Sequence, residues 1–258
     1  MNFEHYLRNY KEVIDKEVEG WFYPKDIIIV YGLLKEIQKD IVGDVCEVGV
    51  AYGKSAIAIA EFKGEDNFYM YDLFTEEQRQ LAEKNILKFS GVNKDTLVWR
   101  LNDTTQLTID EVQFNRPLRF LHIDGCHEHS AVFNDLTLFC SKMSPDGIIA
   151  LDDYQDQEFP GVNSAIFQFS LYQEDWKNWR IFAIGDNKAY MCQKKYQEYY
   201  QRALIDYILK AKEQYNVPFD MHMGLREVLS SNVLMCDSRT IWDSEVIKKS
   251  LFNKPIIG

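Results

Sequence analysis

The chain has 258 residues, enough for one large domain or a domain with additions, and its 46% hydrophobic content supports a real core. A net charge of −11 argues against nucleic acid or an anionic membrane surface as the main partner. The start, MNFEHYLRNYKEV, is too polar for a secretory signal, and no apolar run approaches membrane-spanning length. The five cysteines, Cys46, Cys126, Cys140, Cys192 and Cys236, show no C-x-x-C spacing. Four lie in or near apolar segments and read as reduced core residues of a cytoplasmic protein.

Residues 1–40 read as polar and helical, interrupted by Trp21-Phe22-Tyr23-Pro24. That aromatic cluster suits either packing or a cover over a substrate cleft. Asp26–Ile37 reads as a helix leading into a first strand, Asp44–Gly49. Val50-Ala51-Tyr52-Gly53-Lys54-Ser55 follows, and then a helix start over Ala56–Phe62. Strand, glycine turn and helix form the first half of a nucleotide-type binding unit. The glycines are spaced G-x-x-x-G, which is neither the dinucleotide fingerprint G-x-G-x-x-G nor a P-loop. Asn67–Tyr71 reads as a second strand ending at Asp72, an acid placed to accept two ribose hydroxyls. Phe74 lies next, either against a base or in the core. Glu76–Phe89 is helical. Thr96–Leu101 is a third strand, ending at Asn102-Asp103-Thr104-Thr105, where Asp103 or its neighbours either reach an adenine amine or cap the next helix.

Arg119–Ile123 and Gly147–Leu151 are apolar runs with the look of doubly buried parallel strands, and each ends in acid, at Asp124 and at Asp152-Asp153. Between them Ala131–Met143 has helical periodicity, and Ser144-Pro145-Asp146-Gly147 reads as the turn that stops it. Such a strand–helix–strand unit brings all three acids to the carboxyl edge of the sheet, where open parallel sheets place their ligands. Three ionised carboxylates together repel one another, and a hard cation such as Mg²⁺ or Ca²⁺ relieves that repulsion. His127, in the loop after Asp124, is placed to move a proton there. A single strand-end Asp is as readily a helix or turn cap; three with a histidine point to a site.

Asn163–Tyr172 reads as a helix, and Trp179–Ile184 and Lys188–Gln193 as a hairpin around Gly185-Asp186-Asn187. Residues 195–214 form a polar helix. Residues 215–258 show little periodicity and suit an arm on another copy in a homo-oligomer or part of a substrate wall. The expected architecture is α/β, a Rossmann-like doubly wound sheet of seven strands, five parallel and then an antiparallel hairpin, with helical additions. The expected units are an N-terminal helical segment over 1–40, a binding domain over 41–194 and a C-terminal helix and extension over 195–258.

The chain resembles the class I S-adenosylmethionine-dependent methyltransferases over roughly Gly43 to Gln193. Glu47-Val48-Gly49-Val50-Ala51-Tyr52-Gly53 is similar to the first motif of that family, and Asp72 to its ribose-binding acid. His122-Ile123-Asp124-Gly125-Cys126-His127 with the later Asp152-Asp153-Tyr154 resembles the branch of metal-dependent sugar O-methyltransferases of macrocin type and cephalosporin-hydroxylase-like proteins. The resemblance implies S-adenosylmethionine held by Glu47, Gly49, Ala51, Tyr52, Gly53, Ser55, Asp72, Leu73, Phe74, Asp103, Thr104 and Asp124. It also implies Mg²⁺ or another divalent cation on Asp124, Asp152 and Asp153, with His127 as base. Some relatives carry Glu-Asp where this chain has Asp152-Asp153. The expected reaction is Mg-dependent O-methylation of a small-molecule hydroxyl acceptor, a sugar or other vicinal diol first and a catechol or polyphenol second. A non-catalytic cofactor-binding protein on the same fold is the rival of another class. The missing G-x-G-x-x-G speaks against a dehydrogenase.

Overall fold

The computed structural model describes residues 3–172, 179–215 and 221–236. The chain opens with α1 (Phe3–Asn9), which continues through a π-helical turn (Tyr10–Ile14) into α2 (Asp15–Glu17). These residues are less polar in effect than their composition suggests, because Phe3, Tyr6, Leu7, Tyr10 and Ile14 are all buried. A strap follows, then α3 (Pro24–Tyr31), with Pro24 at its first turn. A second π-helical stretch, Gly32–Ile37, leads to β1 (Asp44–Val48).

The central elements alternate strand and helix: α4 (Lys54–Phe62), β2 (Phe68–Asp72), α5 (Glu76–Phe89), β3 (Leu97–Leu101), β4 (Leu118–Ile123), α6 (His129–Cys140), β5 (Met143–Leu151) and α7 (Pro160–Tyr172). The antiparallel pair β6 (Trp179–Gly185) and β7 (Lys188–Gln193) precedes α8 (Gln197–Gln214), β8 (Met223–Val228) and β9 (Ser231–Cys236). The sheet order is β3-β2-β1-β4-β5-β7-β6-β9-β8. Strands β1 to β5 run parallel, β7 antiparallel to β5, and β9 parallel to β6. One apolar layer, with α1, α3, α4, α5 and α8, covers one face, and a second, with α6 and α7, covers the other. Burial on both faces explains why β1 and β4 are buried at every position, with Asp44, Glu47, Arg119 and His122 taken inside along with their apolar neighbours.

The structure corrects the expected strand count, since the sheet has nine strands rather than seven. The extra pair, β8 and β9, lies within residues 215–258, which had shown little periodicity; residues 237–258 lie outside the described part. The hairpin escapes notice because its two turn residues, Leu229 and Ser230, take φ of 49° and 58° without Asn or Gly to signal them. A second correction concerns Ser144–Gly147, read as a turn. They lie inside β5 as an irregular stretch, where the register passes from Leu118↔Met143 to Phe120↔Ile148. A bulge tolerates Pro145, which a regular central ladder would not. The preceding helix accordingly ends at Cys140, not Met143. Among the described residues no helix is long and apolar enough to cross a membrane.

Candidate functional site

The strand order reverses between β1 and β4, and a cavity of about 630 Å³ opens at their carboxyl ends. This is where a doubly wound sheet leaves a crevice. Gly49 and Gly53 shape one wall with φ of +83° and +85°. Gly49 has no substitute, since a Cβ there would lie 1.9 Å from the Asp124 carbonyl oxygen. Asp72 holds the loop after β1: its Oδ2 accepts the Val50 and Ala51 N–H groups, each at 2.7 Å. Ala51, Tyr52, Ser55, Leu73, Asp103 and Thr104 line the same half of the cavity. Asp103 also caps the turn that follows, its Oδ1 accepting from Thr105 N–H at 3.0 Å. Two expected cofactor residues stand apart from the cavity wall. Phe74 is buried edge-on against Trp99, with 5.3 Å between ring centres. Glu47 is fully buried, and its Oε1 lies 2.7 Å from His122 Nδ1.

The acids meet at the junction between the two halves. Asp124, Asp152, Asp153 and His127 all line the cavity. His127 Nε2 lies 3.0 Å from Asp153 Oδ2 and 3.8 Å from Asp124 Oδ1, both ion-pair distances. Asp124 and Asp153 push the imidazole up to about 10, so it is protonated in this arrangement. Burial, with Asp152 close by, raises Asp124 to about 7. The Phe159 ring closes on His127 from the other side, at 4.1 Å between centres. Gly161 lets the start of α7 lie close against the loop that carries His127, because a Cβ there would meet the His127 carbonyl oxygen at 2.5 Å. His129 is turned away onto α7, with Nδ1 2.7 Å from Ser164 Oγ and Nε2 2.8 Å from Gln168 Oε1.

Behind the acids lies a buried polar group that sequence reasoning missed. Lys188, 1% exposed, places Nζ 2.5 Å from Asp152 Oδ2. Burial opposes the charge on Asp152, but the Lys188 and His122 charges outweigh it and hold its carboxyl at about 2. Burial raises Asp26 to about 7 even with Lys188 nearby. Lys188 Nζ also sits over the Phe22 ring, 5.1 Å from its centre. A lysine opening the otherwise apolar strand KAYMCQ was the available signal, since a buried lysine needs an anionic partner.

The ligand atoms of Asp124, His127 and Asp153 lie within 4.8 Å of one another, as do those of His122, Asp124 and Asp152. Carboxylate oxygens of Asp124 and Asp153 on the cavity wall suit a hard divalent cation. Asp152 joins such a set only by sharing its carboxylate with Lys188.

Residues 46–154 match the family described as a methyltransferase domain. No curated protein matches the chain. Among solved structures, the cofactor-bound Rv0187 from MTB shares the fold with a TM-score of 0.57 at 15% identity, covering 74% of this chain and 90% of that one. The O-methyltransferase NovP is similar with a TM-score of 0.52 at 14% identity, over 65% of this chain and 78% of that one. The mycinamycin-pathway methyltransferase MycE, solved with Mg and SAH, aligns with a TM-score of 0.52 at 13% identity, over 75% of this chain and 54% of that one.

Proposed function

We propose that the protein, whose residues 46–154 match the methyltransferase-domain family, transfers a methyl group from S-adenosylmethionine to a hydroxyl oxygen of a small polyol, a sugar before a polyphenol. The observation that carries this reading is His127, held between Asp124 and Asp153 at the junction of the cavity's two halves. The glycine turn, Asp72 and the Asp103–Thr105 turn would hold the cofactor. The acceptor would enter past Asp153 and Phe159.

The sulfonium methyl is already activated, so the protein has to align a nucleophile and remove its proton. In the transfer, the sulfur–methyl bond breaks as the oxygen–methyl bond forms, and the hydroxyl proton passes to His127 Nε2. His127 acts as base only in its neutral form, and the two flanking carboxylates oppose that form until their charge is matched. Asp124 and Asp153, with Asp152 shared with Lys188, would hold a divalent cation whose Lewis acidity lowers the hydroxyl pKa. Phe159 packs on the imidazole ring and Gly161 lies close against the His127 backbone, which together limit the direction of proton removal. A protein that used this cavity for binding alone would have no need of a clamped histidine.

Incubation with radiolabelled S-adenosylmethionine and a panel of glycosides and catechols, with and without chelator, tests the reading. Label should enter a diol-bearing glycoside, fall with chelator and return with Mg²⁺. Transfer undiminished by chelator would remove the cation from the account, and label entering catechols alone would move the acceptor to the polyphenols. No label in any hydroxyl acceptor would reject O-methylation.

A further inference from the structure

The half of the cavity away from the glycine turn has an aromatic and acidic wall that the methyl-transfer reading does not use. It is built on the strap between α2 and α3. Phe22 is the buried anchor, 2% exposed and edge-on to His122 at 6.1 Å between ring centres. Tyr10 Oη donates to the Phe22 carbonyl at 2.5 Å, and Lys54 Nζ donates to the Gly20 carbonyl at 2.8 Å. Tyr23 N–H donates to Asp26 Oδ2 at 3.2 Å. Ties at Gly20, Phe22 and Tyr23 fix the backbone on both sides of Trp21. Yet Trp21 beside the anchor is 82% exposed and Tyr23 is 42% exposed, and both line the cavity. An exposed indole carried at a cavity mouth on a backbone tied down at both sides is a surface suited to a flat or cationic partner.

The charge of the wall narrows the partner. Besides Asp153, which the proposed transfer already uses, Glu19, Asp156 and Glu158 line this cavity. Among the described residues lining it, the positive groups are Lys54 and His127. Lys54 is 7% exposed, its ammonium committed to Asp15 Oδ1 at 2.9 Å and to the Gly20 carbonyl. His127 is committed to Asp124 and Asp153. A phosphate or carboxylate against this wall would meet the Glu19, Asp156 and Glu158 carboxylates with no side-chain cation free to offset them, the divalent cation of the proposed transfer being engaged by the acceptor hydroxyl, and that costs affinity directly.

We propose that Trp21 is the acceptor platform, and that the acceptor is an aminated sugar, a hydroxylated ring that carries positive charge and no phosphate. The amine would be drawn to the Glu19, Asp156 and Glu158 carboxylates while the ring lies against the indole. This rests on the methyltransferase reading of the same cavity. Kanamycin A serves as an aminated probe and UDP-glucose as its anionic counterpart. Each is titrated by calorimetry, at 0.15 M salt to suppress unspecific attraction, into protein saturated with S-adenosylhomocysteine.

Kanamycin A should bind wild type and lose about fivefold to tenfold in Trp21→Ala, the range set by one aromatic contact. Trp21→Phe should keep most of the affinity, and UDP-glucose should give no heat. S-adenosylhomocysteine affinity should be the same in all three proteins. Kanamycin A binding that is absent, or indifferent to Trp21→Ala, would overturn the proposal, as would UDP-glucose binding of equal strength. A Trp21→Ala loss confined to S-adenosylhomocysteine would also overturn it and make Trp21 a cofactor residue. Failure of wild type to bind S-adenosylhomocysteine would instead reject the underlying reading of the cavity.

Discussion

Gly49, His127 and Asp135 make different demands on the chain, and each can be tested by a single substitution. Gly49 combines positive φ with a clash against the backbone of Asp124, which cannot move without carrying the acid cluster with it. Gly49→Ala should therefore abolish S-adenosylhomocysteine binding, measured by calorimetry, in protein that still shows the wild-type far-UV spectrum. His127→Ala should slow single-turnover transfer by roughly 10²–10⁴, the worth of a positioned base. His129→Ala, which cuts only contacts to α7, should be mild. A larger defect in His129→Ala would mean that the roles are exchanged. Asp135 is 1% exposed, and its Oδ1 has no hydrogen-bond partner. Burial raises it from 3.8 to about 7. A raised folded pKa favours the folded state below the unfolded value and loses that contribution as pH climbs through about 7. Asp135→Asn should thus gain stability over wild type above pH 7, by a few kcal/mol at most, and lose the advantage near pH 4. Urea melts at both pH values give the difference, and an equal shift at both would disprove the linkage.

Among the elements, those most legible in the sequence were the ones whose own residues specify them. Helix α5 begins with a capping box, Thr75 Oγ1 accepting from Gln78 N–H at 3.2 Å and Gln78 Oε1 from Thr75 N–H at 3.0 Å, and its expected bounds agree with the structure. The second half of β5 announced itself by the apolar run Gly147–Leu151, and β1 by the glycine turn that follows it. What stayed hidden depended on partners distant in sequence. The bulge in β5 depends on the register of β4, and the strap has its purpose only because Lys188 and His122 lie beneath Phe22. Phe22→Ala should cost about 3–5 kcal/mol, the usual loss for a buried aromatic ring. Because that ring also roofs Lys188, acceptor turnover should fall further than the unfolding free energy alone would explain, even well below the melting temperature. Turnover at the wild-type level in the folded fraction would show the strap to be packing only.

For the molecule as a whole, the reversal of strand order between β1 and β4 determines where chemistry can occur. Every acid that the sequence placed at a strand end reached that one edge, because parallel strands carry their ends to the same side. The sequence pattern could not reveal that Glu47 would turn inward to His122, or that Phe74 would join the core, since strand alternation assigns a face and not a neighbour. The cofactor half of the cavity is the part on which everything else rests. Calorimetric titration of S-adenosylhomocysteine into wild type and Asp72→Ala tests it most directly, with NAD as the control. Wild type should bind S-adenosylhomocysteine and not NAD, and Asp72→Ala should lose about 1–3 kcal/mol, the scale for hydrogen bonds to a charged group. Equal affinity in the two proteins, or a preference for NAD, would contradict the account.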